Sequence, residues 1–143
     1  MPVKIAVLKE TRTAERRVAM VPAVVDKLAK LGAQIHLQAG AGAAVKLADA
    51  AYKNGQLHAD ALEMVRHAEI VLSVQPPDLA VVRAMKEGAI LISFVYAHKE
   101  AELTRLLRDR KITTFAMELV PRITRAQAMD ALSSQAALAG YYA

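Results

Sequence analysis

Five short apolar runs alternate with stretches of helical periodicity along the whole chain, and this alternation restricts the fold more than any other feature. Val3 to Leu8, Gln34 to Gln38, Glu69 to Val74, Ala89 to Phe94 and Thr113 to Met117 read as strands. Because a helical pattern follows each strand, consecutive strands are joined by crossovers and must run parallel. The first helix is well punctuated, with Pro22 near its first position and Gly32 directly after Ala29-Lys30-Leu31. Further helices are expected over Ala44 to Asn54, Ala61 to His67, Asp78 to Lys86, Lys99 to Arg108 and from Thr124 onward. The predicted class is α/β, a doubly wound, mostly parallel five-stranded sheet of flavodoxin-like or Rossmann-like kind. No internal repeat, low-complexity tract or linker interrupts it.

At 143 residues and 55% hydrophobic content the chain suits one domain with a full core, and a mainly disordered chain is excluded. No apolar run approaches the ~20 residues needed to cross a bilayer, and Val3 to Leu8 is too short and too early for a signal peptide, so a cytoplasmic location without direct membrane insertion is expected. The absence of cysteine removes disulfides, thiolate nucleophiles and the common structural zinc sites. A formal charge of +5 raises the question of nucleic acid. The distribution answers against it: basic residues are scattered, the longest cluster is Arg105 to Lys111 at an expected helix end, and aromatics are only 4%. A mildly positive surface fits anionic metabolites, cofactors or an acidic partner surface instead.

Ligands of open α/β sheets bind outside the carboxyl ends of the strands, and the loops there are polar. They read Lys9-Glu10-Thr11 and Glu15-Arg16-Arg17, then Gln75-Pro76-Pro77, Tyr96-Ala97-His98 and Glu118 to Arg122. Beyond the last of these, Pro121 to Ala143 reads PRITRAQAMDALSSQAALAGYYA. Thr124 and Gln127 have the spacing of a capping box, which would start a helix there. Gln127, Asp130 and Ser134 would share one face, Met129, Leu132 and Ala136 the other, with Arg122 in the preceding turn. A cation, an amide and a carboxylate would then converge on one ligand-facing helix start, although an ordinary amphipathic helix with a solvated polar face has the same spacing.

Other motifs carry less. Ala39-Gly40-Ala41-Gly42-Ala43-Ala44-Val45 lies between a strand and an expected helix, as a dinucleotide fingerprint does, but Val45 stands where Gly or Ala is needed and the motif follows the second strand. Its glycines are better explained by a tight turn. His36, His58, His67 and His98 show no metal-ligand spacing, so no metal is expected and they read as structural or surface residues. Ser133-Ser134 lacks the glycine-flanked setting of a nucleophile elbow.

At Lys9-Glu10, Glu15-Arg16-Arg17-Val18-Ala19, Pro22, Gly40-Ala41-Gly42 and Arg125 to Gln135, the sequence resembles the alanine dehydrogenase and pyridine nucleotide transhydrogenase family along its whole length. The run Arg-Ala-Gln-x-Met-Asp-x-Leu-Ser-Ser-Gln points to the transhydrogenase branch and its NAD(H)-binding component. Alanine dehydrogenases of the family bind pyruvate with a Lys and a His in the loops after the third and fourth predicted strands. Gln75 and Tyr96 stand there in this chain. Arg17 matches the arginine that grips the substrate carboxylate, and Ala97 replaces a proline usual in transhydrogenases.

The resemblance implies an oxidoreductase of the proton-translocating kind, with NAD(H) as cofactor and NADP(H) bound by a partner component. Arg122 and Ser133 would face the nicotinamide carboxamide, Ile123, Thr124 and Arg125 would line the turn, and Asp130 would order the ring environment. Gln127 would reach toward the second nucleotide, so that Gln127 and Asp130 position the hydride transfer. Residues 1–123 would form the N-terminal α/β domain, and residues 124–143 the start of a helix leading to a separate Rossmann domain that holds most of the dinucleotide. Membrane-spanning partner components, a homodimeric complete subunit and attachment to the cytoplasmic face of the inner membrane are implied as well. An amino-acid dehydrogenase domain and a stand-alone flavodoxin-like binding module are the alternatives.

Overall fold

The computed structural model describes all 143 residues, Met1–Ala143. Six strands form one sheet: β1 (Lys4–Val7), β2 (Gln34–Gln38), β3 (Gly55–His58), β4 (Ile70–Leu72), β5 (Ile90–Ser93) and β6 (Thr113–Ala116). All pairings are parallel and the order is β3-β2-β1-β4-β5-β6. This is the Rossmann order, and the α/β doubly wound class is as expected, with one strand more than the five predicted. Helices α1 (Pro22–Lys30), α2 (Ala61–Arg66), α3 (Leu79–Ala84), α4 (Ala101–Asp109) and α5 (Ala131–Tyr142) complete it. None is long and apolar enough to cross a membrane.

The extra strand lies where the sequence predicts the end of the helix Ala44 to Asn54. Instead, two single 3₁₀ turns, Ala43–Val45 and Asp49–Ala51, lead into β3. Tyr52 decides the path: its ring is buried and its hydroxyl donates to the Met20 carbonyl at 3.1 Å. A helix continuing from Ala44 would not bring that ring inward to this carbonyl. Gly55 then lets β3 lie against β2, since a β-carbon there would fall 2.1 Å from Leu37 Cδ1. At α1 the punctuation is as read, with Pro22 in the first turn and Gly32 past the Leu31 cap at φ +90°, a conformation that costs a side-chain-bearing residue.

Alternation along β1 supplies both cores. Ile5 and Val7 join Met20, Val25, Ile35, Leu37 and Tyr52 beneath α1. Ala6 and Leu8 face the other way, toward a larger cluster in which α2, α3 and α4 contribute Val65, Val82 and Leu103. Full burial of such a side chain is worth about 1.5–3 kcal/mol, so these faces fix the strand register and thereby the loops at the carboxyl edge. Coverage is uneven on the α1 side, where Phe115 of β6 remains 56% exposed.

Candidate functional site

The loops after β1, β4, β5 and β6 meet at the carboxyl edge, where two carboxylates tie them together. Glu10 accepts from the backbone N–H groups of Val74 and, at 3.0 Å, Gln75, holding the loop after β1 to the loop after β4. Burial raises its pKa above the usual carboxylate range against the pull of those two bonds. Glu118 does the same for the end of β5, accepting from Val95 N–H at 3.1 Å and Tyr96 N–H at 2.6 Å. Tyr96 sits at φ +49°, a left-handed conformation that a bulky residue keeps only when its surroundings enforce it. Glu118 supplies such a restraint.

Behind this edge, Arg17 is committed to Glu15. Its Nε donates to Oε1 at 2.9 Å and its Nη2 to Oε2 at 2.8 Å, while its backbone N–H also donates to Oε1. Gln75 Nε2 holds the same carboxylate at 2.8 Å. The Arg17 hydrogen bonds lower the Glu15 pKa to about 2, so the pair stays ionised through the neutral range. The guanidinium lies 5.8 Å from the Phe94 ring centroid, and Phe94 is stacked with Tyr96 at 5.9 Å and 11° between planes. Arg17, Phe94 and Tyr96 line one side of a cleft of about 390 Å³ whose other side is Arg122, Asp130 and Leu132.

A second cleft, about 250 Å³, is lined by Arg122, Ile123, Thr124, Gln127, Asp130 and Ser133. Arg122 and Asp130 border both clefts. Six of the seven residues singled out in the sequence therefore meet in one place, while Arg125 is exposed and lines neither cleft. The backbone that gathers them differs from the expected helix. Thr124–Met129 is a 3₁₀ segment capped at Ile123 without a side-chain bond, so the Thr124–Gln127 capping box is not formed. The cap falls at Asp130, which starts α5 by accepting from Ser133 N–H at 3.0 Å and from the Ser133 hydroxyl. These bonds, the hydroxyl's first, lower the Asp130 pKa, with Arg122 adding to the effect.

Because the helix begins later than the spacing implies, Ser133 rather than Ser134 enters the smaller cleft, and Leu132 borders the larger one instead of facing away. Sequence reasoning missed Phe94, the Glu15 clamp and the restraint by Glu118. The available signal was the placement of carboxylates at strand ends among apolar neighbours, as in Ala-Met-Glu-Leu-Val.

The sequence model described as "Alanine dehydrogenase/PNT, N-terminal domain" matches residues 6–139. The chain belongs to this family. It is similar to an NAD(P) transhydrogenase alpha subunit of Rhodospirillum rubrum, 42% identical over 98% of this chain but only 38% of the relative. A crystal structure of a transhydrogenase from Sinorhizobium meliloti superposes with a TM-score of 0.90 at 36% identity, covering 96% of this chain and 42% of that one. An alanine dehydrogenase of Methanococcus maripaludis is 34% identical over 81% of this chain and 32% of its own length. The chain thus spans about two fifths of the length of these two transhydrogenase relatives.

Proposed function

We propose that this chain is the N-terminal part of the NAD(H)-binding component of a proton-translocating NAD(P) transhydrogenase, and that its carboxyl edge orients the nicotinamide end of the cofactor. The observation that carries the reading is the joint cleft in which Arg122, Asp130 and Ser133 meet beside Gln127. A carboxamide offers one acceptor and one two-hydrogen donor. Arg122 can donate to the first. Asp130 and the Ser133 hydroxyl can accept from the second, because each carboxylate oxygen in the Asp130 cap keeps a free lone pair.

Bound NAD(H) would supply the hydride chemistry, NADH + NADP⁺ giving NAD⁺ + NADPH by breaking one C–H bond and making another. The residues present need no proton transfer. Arg122 and Asp130 set the rotation of the carboxamide, the Phe94–Tyr96 stack with Leu132 gives the adjoining cleft an apolar wall against water, and Gln127 faces the second nucleotide. Glu15 takes the Nε and Nη2 edge of Arg17 and balances its charge, while the Nη1 edge remains able to donate into the cleft. Gln75 and Tyr96, standing where the alanine dehydrogenases of the family carry a Lys and a His, favour the transhydrogenase reading over an amino-acid dehydrogenase.

In this reading residues 124–143 begin a connection to a Rossmann domain that holds most of the NAD(H). NADP(H) sits on a partner component, membrane-spanning components carry the protons, and the complete subunit is a homodimer at the cytoplasmic face of the inner membrane. The test is substrate choice in the complete protein with its NADP(H)-binding component. NADH should reduce an NADP⁺ analogue, and pyruvate with ammonium should not support NADH oxidation. Clear amination of pyruvate would move the protein to the amino-acid dehydrogenases.

A further inference from the structure

On the β2–β3 flank of the sheet, two histidines share a hydrogen bond between adjacent strands. His36 of β2 and His58 of β3 lie on neighbouring parallel strands whose register pairs His36 with Gln56 and Gln38 with His58. His36 Nδ1 is 2.8 Å from His58 Nε2, and the ring centroids are 5.0 Å apart. One nitrogen of this contact must carry a hydrogen and the other must not. The remaining nitrogen of His36, Nε2, is buried without a partner. The strand they fasten is an edge strand, paired only with β2.

We propose that the His36–His58 pair is a proton-sensitive latch that holds the edge strand β3, and with it the Gly40–Tyr52 connection, against β2, and that acid opens it. The bond tolerates one added proton, which His58 can carry on Nδ1 while Nε2–H donates to His36. It does not tolerate two, because both facing nitrogens would then be donors at 2.8 Å. With that one proton in place both outer nitrogens already carry hydrogen, so a second proton can enter only at the contact itself, and it would put a charge on the buried ring of His36.

The surroundings push the same way. His36 is held below its usual pKa first by burial, then by His58, Lys4 of β1 and His67 at the end of α2, with only Glu69, ahead of β4, opposing. The sign follows: a histidine with a lowered native pKa stabilises the closed state above about pH 6.5, and that contribution is lost as pH falls through 6.5 toward the lower native value. The opened pair accepts two protons and the closed pair one. The ratio of open to closed forms should therefore rise about tenfold between pH 7.5 and pH 5.5.

What opens lies beside the functional loops. The Gly40–Ala44 turn forms one wall of a cleft whose other wall is Lys9, Arg16 and Arg17. Ala39 is the natural reporter, because its N–H donates to the His58 carbonyl at 2.8 Å. Amide hydrogen exchange of the protein, corrected for intrinsic rates, should show about tenfold loss of protection at Ala39 from pH 7.5 to 5.5. Thr113, whose N–H donates to the Ala89 carbonyl at 3.0 Å on the far side of the sheet, should stay constant. His36→Gln should abolish the dependence and His67→Gln should keep it. A change at Ala39 below twofold, or full retention of the loss in His36→Gln, overturns the latch. Should His36→Gln not fold, NMR titration of the native imidazoles decides: His36 must stay neutral well below pH 6.5, and an ordinary titration midpoint overturns the proposal.

Discussion

Arg17 reaches the larger cleft with its charge already balanced by Glu15. With Glu15 lowered to about 2 by the Arg17 hydrogen bonds, its stabilising effect is present above about pH 4.5 and is lost as pH falls from there toward 2. Arg17 is 41% exposed, so solvent screens the pair and its worth is about 1 kcal/mol. Glu15→Gln should accordingly lower stability by about 1 kcal/mol near neutrality, and urea unfolding should show the gap to wild type closing as pH falls below 4.5. A gap that is constant from pH 7 to pH 3 would mean that the ion pair is not its source. This network was not legible in the sequence, whereas Arg122, Ile123, Thr124, Gln127, Asp130 and Ser133 were. The latter crowd into twelve consecutive residues, whereas the Glu10 and Glu118 bonds join positions 64 and 22 residues apart with no period to betray them.

Among the elements, the readable strands carried either a continuous apolar run, as in Ile-Val-Leu of β4, or an alternation of apolar and polar residues, as in Gln-Ile-His-Leu-Gln of β2. β3 was missed for the opposite reason: Gly-Gln-Leu-His is a polar edge with Leu57 itself 47% exposed. Its position depends on contacts with β2 that lie 20 residues away in sequence, as in the pairing of Ile35 with Gly55. Gly55→Ala tests that dependence. The added methyl meets Leu37, which is fully buried in the α1-side core and cannot swing into solvent. Thermal unfolding should report a loss of about 1–3 kcal/mol, the usual cost of overpacking. An unchanged melting temperature would show that β3 is held too loosely to sense Leu37. The helix expected from Thr124 failed on a competition between caps. Asp130 bonds both Ser133 N–H and hydroxyl, while Thr124 makes no cap bond, so the regular helix starts six residues after the capping-box position.

For the molecule as a whole, the clefts at the carboxyl edge are shallow supports rather than an enclosing site. Neither supplies a glycine-rich loop, and the helix N-terminus they share, that of α5, is already occupied by the Asp130 carboxylate, so the 143-residue chain should bind NADH with a dissociation constant above about 10 μM in a fluorescence titration. Tighter binding would show that these clefts suffice alone. The central claim is that Gln127 and Asp130 orient the nicotinamide rather than supply most of its affinity. Single-turnover hydride transfer, measured in the complete enzyme beside equilibrium NADH binding, tests it most directly. Gln127→Asn and Asp130→Asn should each slow transfer strongly, up to about a hundredfold for ~1 Å of misplacement, while NADH affinity changes far less. Transfer within about twofold of wild type in both variants, a barrier change under roughly 0.5 kcal/mol, would contradict the account.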